Sequence, residues 1–200
     1  MTRLYMMRHG QTLFNVLRRK QGWCDSPLTE EGIAQAERAG AWFREQGITF
    51  DHAYSSTSER ACDTLEIVAP GMPYERVKGL KEWNFGTFEG LTEDADPPLP
   101  YGDFFKQFGG ETEMELRERY TQTVCELMAR PGQESVLIVS HGAAVAQFRR
   151  WLGENLSQTS GSSGTRVYNC GFVIYDVENA ADISSDSFTL VGVANPGVGK

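Results

Sequence analysis

Leu4-Tyr5-Met6-Met7-Arg8-His9-Gly10 and Val136-Leu137-Ile138-Val139-Ser140-His141-Gly142 share one pattern, a four-residue apolar run leading to a histidine and a glycine. Each run has the length and composition of a short buried strand. Each histidine then stands at the carboxyl end of its strand, the edge where open α/β sheets bind ligands. The chain has only three histidines. Two of them at equivalent strand ends point to two imidazoles converging on one site, with N–H groups of the following helices nearby.

Outward from these strands, helix and strand signals alternate. Thr29 reads as an N-cap, with Glu30 and Glu31 favourably placed against the helix dipole. Ile33, Ala36, Gly40 and Phe43 follow as an apolar stripe that ends near Gly47. Phe50 to Ser55 is strand-like. Ser56-Thr57-Ser58-Glu59 has capping-box spacing, and Ala61, Leu65 and Val68 continue a helix that Pro70-Gly71 ends. Thr112 to Glu115 is a second capping box, opening a helix with Leu116, Tyr120, Val124 and Leu127 on one face. After the second apolar strand a helix runs through Ala144, Phe148 and Trp151 to Gly153. Arg166 to Val177 and Ser187 to Val193 read as strands joined by a polar turn. This order predicts a three-layer α/β/α fold with a mainly parallel central sheet and an antiparallel edge.

One domain over residues 1–200 is expected, since 200 residues fit a single core and no linker divides the chain. Two segments interrupt the alternation. Residues 92–110 are acidic, aromatic and Pro-containing with little periodicity, as in a lid, a binding wall or an excursion packed by its own rings. Residues 157–165 form a Gly/Ser/Thr loop. Nineteen Lys+Arg against twenty-seven Asp+Glu leave a net charge of −8, which argues against a nucleic-acid or anionic-membrane surface but leaves room for a small cationic pocket. No signal peptide or membrane span is read, and the four separated cysteines suit reduced thiols in a cytoplasmic protein. Nothing in the composition separates a monomer from a homodimer.

Three strand ends each deliver a cation or an imidazole: Arg8 with His9, Arg60 after Ser55-Ser56, and His141. Guanidinium pairs and helix N-termini suit a tetrahedral phosphoryl group. The ligand expected is a small phosphorylated metabolite. No metal-ligand cluster of suitable spacing occurs, and no metal or cofactor is expected.

Arg8-His9-Gly10, Asn15, Gly22-Trp23, Leu28-Thr29-Glu30-Glu31-Gly32, Ser55-Ser56 with Arg60, Glu82 before Phe85-Gly86 and Glu89-Gly90, and Ser140-His141-Gly142 occur in one order. That order and spacing resemble the histidine phosphatase superfamily, which includes the cofactor-dependent phosphoglycerate mutases. The resemblance implies a phosphoglycerate mutase-like fold and a set of roles. His9 matches the residue that attacks phosphorus and becomes phosphohistidine. Arg8, Arg60 and His141 match the groups that hold the phosphoryl oxygens, and Glu82 matches the carboxyl acid and base. Asn15, Thr12, Gln21, Gly22 and Gly142 are the candidate substrate contacts.

Physical chemistry agrees with those roles. A nucleophilic imidazole must be neutral, and adjacent arginines favour that form. Glu82 is close to a rival carboxylate, Glu89. The region that carries Lys and Arg in mutases is here acidic, and Ala143 stands where mutases usually present Asn. Both departures favour a metal-independent phosphomonoester hydrolase over mutase-type phosphoryl transfer, with a non-catalytic phosphate-binding protein as a third reading. Asp94, Asp96 and Asp103, if they face the pocket, would repel a second anionic group. Trp23, Trp83, Phe85 and Phe104 would contact a neutral, partly apolar leaving group. Arg18-Arg19-Lys20 reads either as an attractor of anions or as a solvated helical face.

Overall fold

Alternation along the two diagnostic strands builds the layers. The computed structural model describes residues 1–154, 156, 166–178 and 183–198. Among the described residues six strands form one sheet: β1 (Thr2–Arg8), β2 (His52–Ser56), β3 (Glu75–Val77), β4 (Ser135–Ser140), β5 (Phe172–Val177) and β6 (Phe188–Ala194), in the order β3-β2-β4-β1-β5-β6. The first four in that order run parallel, and β5 and β6 form the antiparallel edge. The α-helices among the described residues are α1 (Leu13–Val16), α2 (Glu30–Glu45), α3 (Glu59–Val68), α4 (Glu113–Met128) and α5 (Gly142–Trp151).

Leu4 and Met6 of β1 and Val136 and Ile138 of β4 pack beneath Leu116, Tyr120, Val124 and Phe148 of α4 and α5. Their neighbours Tyr5, Met7, Leu137 and Val139 face Ala36, Ala39, Phe43, Leu65 and Val68 of α2 and α3. Burying one such large side chain contributes about 1.5–3 kcal/mol, so both faces fix the strands. β1 and β4 lie side by side with Arg8 opposite Ser140, and the His9 amide donates to the Ser140 carbonyl at 2.9 Å. The two histidines therefore leave the sheet at one place. Among the described residues no helix is long and apolar enough to cross a membrane.

Thr29 caps α2 by accepting from the Gly32 amide, and Thr112 with Glu115 completes the capping box of α4. Three expectations are corrected. Ile33 turns outward, and Gly32 and Ala39 are buried instead; a Cβ at Gly32 would lie 2.0 Å from the Gln11 carbonyl oxygen. Ser56 is no helix cap, because β2 continues through it and α3 begins after Ser58. The strand read from Arg166 begins only at Phe172, since Cys170 adopts a positive φ of 55° and its amide turns to the Arg8 carbonyl. The edge strand β3, with two exposed residues of three, had no alternation to announce it.

Residues 92–110 contain two short 3-10 turns, Glu93–Ala95 and Phe104–Phe108. Tyr101, Phe104, Phe105 and Phe108 pack edge-on against one another and against Trp83, Phe85 and Phe88. The basic run is not a solvated helical face: it is the partner of this segment. Arg18 pairs with Glu93 at 3.1 Å, and Arg19 donates to the Gly90 carbonyl. Buried Lys20 pairs with Asp96 at 2.8 Å, its ammonium within 5 Å of the Phe85, Tyr101 and Phe105 ring centroids. The 157–165 loop lies outside the described residues.

Candidate active site

β1 ends by presenting His9, and its backbone is held from three sides. The Gly10 amide donates to Thr64 Oγ1, Asn169 donates to the His9 carbonyl, and the Cys170 amide donates to the Arg8 carbonyl. Gly10 packs against the first turn of α2, where a Cβ would meet the Gly32 carbonyl oxygen at 2.7 Å. His9 Nδ1 is 2.8 Å from the Gly10 carbonyl. A carbonyl only accepts, so the proton is on Nδ1 and the lone pair is on Nε2. Burial, then Arg60 and Arg8, hold this imidazole well below its ordinary pKa. The arginines contribute as expected, but loss of water is the larger cause.

His141 leaves β4 with its ring 5.3 Å from that of His9, centroid to centroid. Its Nδ1 is 3.0 Å from Arg60 Nη2 and its Nε2 is 2.7 Å from Ser56 Oγ. A guanidinium only donates, so Nδ1 accepts and Nε2–H donates to the hydroxyl. Burial and Arg60 keep this ring neutral too.

Arg60, in the first turn of α3, is fully buried. Its Nη1 donates to the Cys24 carbonyl and to Asp25 Oδ1, both at 2.9 Å, and Nη2 donates to the Gly22 carbonyl at 2.9 Å. Gly142 gives Arg8 room: a Cβ there would lie 3.3 Å from Arg8 Nε. Burial lowers the pKa of Arg8. The Nε atoms of Arg8 and Arg60 are both buried without a hydrogen-bond partner. An unpaired buried donor costs about 1–3 kcal/mol. Two of them on charged groups beside one pair of imidazoles make the arrangement an anion acceptor.

Glu82 is buried at the start of α5. Oε1 accepts from the Trp83 and Ala144 amides and Oε2 from the Ala143 amide, at 2.8–2.9 Å. The Ala143 and Ala144 amides of α5 therefore serve this carboxyl. Burial raises the pKa of Glu82 against the pull of those donors and of Arg60. The rival Glu89 plays a different part, accepting from the Gly22, Trp23, Cys24 and Phe85 amides at 2.7–3.1 Å. It thereby shapes the loop whose carbonyls hold Arg60.

The candidate substrate contacts are engaged with the protein. Thr12 is buried, caps α1 together with Asn15, and donates to Gln21 Oε1 at 2.7 Å. Asn15 accepts from Asn169 at 3.3 Å, and the Gly22 amide is committed to Glu89. The aromatic wall is also revised. Trp83 and Phe85 are buried in the core and Phe104 packs within the 92–110 segment, whereas half-buried Trp23 donates from Nε1 to the Glu82 carbonyl at 3.0 Å. Asp96 is bound to Lys20. Asp25, Ser56, Glu89 and Asn169 support the site without a chemical signature of their own; the places of Ser56 and Glu89 in the matched pattern could have marked two of them.

The family model of the histidine phosphatase superfamily (branch 1) matches residues 4–183. A 2,3-bisphosphoglycerate-dependent phosphoglycerate mutase 2 of Bacteroides thetaiotaomicron is 39% identical over 108 residues, 52% of this chain and 43% of the mutase. The match thus spans less than half the length of that relative. YhfR of Bacillus stearothermophilus superposes with a TM-score of 0.77 at 30% identity, covering 96% of both chains. A phosphoserine phosphatase of Entamoeba histolytica, solved with 3-phosphoglyceric acid, superposes at 0.74 with 25% identity over 96% of both chains. With the match to the family model covering most of its length, this chain belongs to the histidine phosphatase superfamily, branch 1.

Proposed function

We propose that this protein is a phosphomonoester hydrolase that works through a phosphohistidine on His9, with Glu82 as general acid and base. One observation carries the reading: His9 is neutral with its proton fixed on Nδ1 by the Gly10 carbonyl, so Nε2 holds an available lone pair. Nε2 forms a bond to phosphorus as the ester P–O bond breaks. Arg8 and Arg60 meet the charge on the equatorial oxygens, so the step needs no metal ion. Neutral Glu82 gives its proton to the departing alkoxide. Oε2, with one amide donor against two on Oε1, is the oxygen with room to carry that proton. The resulting carboxylate takes a proton from water, which attacks phosphorus and breaks the N–P bond to release phosphate.

The similarity to a phosphoserine phosphatase and to a mutase supports phosphoryl chemistry at this site. Hydrolysis is favoured over mutase transfer because the 92–110 segment offers few cations: Lys106 pairs with Glu115. The decisive experiment is hydrolysis of p-nitrophenyl phosphate in the presence of a chelator, with acid-labile labelling of the protein by radiolabelled substrate. Turnover and label are expected in the wild type and lost together in His9→Ala. Equal turnover by the two proteins would refute the assignment. A 3-phosphoglycerate isomerisation assay on the same protein tests the mutase alternative.

A further inference from the structure

We propose that Lys81 is a substrate-selecting residue: its ammonium, braced on Trp23 beside the proposed acid, receives a second anionic group on the leaving alcohol. The inference rests on the phosphomonoesterase reading above and adds a substrate class to it. Lys81 is half-buried and immediately precedes Glu82. Its Nζ donates to the Trp23 carbonyl at 3.4 Å and lies 4.8 Å from the centroid of the Trp23 ring. Lys78 approaches the same ring at 5.4 Å. Trp23 in turn is tied by its indole N–H to the Glu82 carbonyl. The ammonium is thus braced on the ring whose indole holds the backbone carbonyl of the proposed acid, and a fixed cation costs less entropy to engage than a free lysine tail.

The charges around the site leave this cation available. Among the described residues neither Lys78 nor Lys81 forms an ion pair. The carboxylates acting on Lys81 from further away, Asp25 and Glu89, are bound to Arg60 and to a set of backbone amides. Of the acidic residues expected to repel anions, Asp96 is engaged by Lys20 and Asp94 and Asp103 are exposed. Meanwhile the Lys81 charge reaches both Arg60 and His141. A monoester with a neutral body would leave this half-buried ammonium unanswered, whereas a carboxylate three or four bonds from the ester oxygen would answer it.

The test compares 3-phosphoglycerate with glycerol 3-phosphate, which differ in a carboxylate against a hydroxymethyl group. Binding of both is measured by calorimetry on the His9→Ala protein, so that the result does not depend on turnover. Tighter binding of 3-phosphoglycerate is expected, and Lys81→Met should reduce the ratio of the two affinities about tenfold. Lys81→Arg should restore most of that ratio, which a general loss of structure would not allow. Equal loss of both ligands in Lys81→Met, or tighter binding of glycerol 3-phosphate from the outset, would overturn the proposal. Failure of the phosphomonoesterase reading shows separately, as absent turnover of p-nitrophenyl phosphate by the wild type.

Discussion

The ends of β1 and β4 carry the same His-Gly ending and lie side by side, yet they do different things. His9 commits one ring nitrogen to a backbone carbonyl and keeps the other. His141 commits both, one to Arg60 and one to Ser56. The glycines differ as well. Gly10 lets β1 meet the first turn of α2, whereas Gly142 lets Arg8 lie over the start of α5. A repeated local pattern therefore places two groups but does not assign them; the partners of each ring nitrogen do that. The β1 end supplies the proposed nucleophile. The β4 end supplies a fixed imidazole and, through the Ala143 and Ala144 amides, the seat of Glu82.

The most severe way to break this division is to remove His9. His9→Ala should lower phosphatase turnover by at least ~10⁴-fold, as losing an activated nucleophile does elsewhere; steady-state assays with p-nitrophenyl phosphate measure it. Next comes Glu82→Gln, which should lower kcat/KM, a measure of the phosphorylation step, by about 10²–10⁴-fold for alkyl phosphates and by under ~10-fold for nitrophenyl phosphate, because only the alkoxide needs a proton. Equal slowing would make Glu82 a positioning group. In the wild type the alkaline limb of kcat/KM should track ionisation of Glu82, at a pH above the ordinary carboxyl range, and Glu82→Gln should abolish that limb.

His141→Ala should cost about 10²–10³-fold, the loss of one preorganised polar group, while still permitting acid-labile labelling at His9. If it abolishes labelling as completely as His9→Ala, the two strand ends are not distinct. Ser56→Ala takes away the acceptor of His141 Nε2–H, together with longer contacts to the Ser58 amide and hydroxyl, and should cost about fivefold in kcat/KM, matching a neutral hydrogen bond of ~1 kcal/mol. The smallest effect concerns stability. Both imidazoles titrate well below 6.5 in the fold because of burial, so the unfolded chain binds more protons between the two values. Stability is then greatest above pH 6.5 and falls as pH drops below it. Denaturant midpoints across pH 5–8 should show that slope, reduced in His141→Gln.

Much of this site was legible because its signals are local. Leu4–Met7 and Val136–Val139 announce strands by composition, Thr29 and Thr112 announce helix starts by spacing, and residues just past a strand end have one place to go. Signals that failed were those in which a side chain answers a partner far along the chain. Ser56 reads as a cap from its neighbours and acts as an acceptor for His141, 85 residues away. Glu89 looks like a spare acid and instead gathers amides from residues 22–24 and 85. Arg18-Arg19-Lys20 and the acidic stretch from Glu93 each read as a charged surface alone. Together they form two ion pairs, Arg18 with Glu93 and Lys20 with Asp96. Sequence spacing cannot report such closure, since either run taken singly is compatible with water.

Lys20 also has a mechanical consequence. Its ammonium is enclosed by three rings and one carboxylate, and separating that clasp would strand a bare charge in a poorly hydrated cleft. Residues 96–105 are thereby anchored to the stretch that continues two residues later into Gly22 and the carbonyls steering Arg60. A change at position 96 would be felt at the arginine without ever touching it.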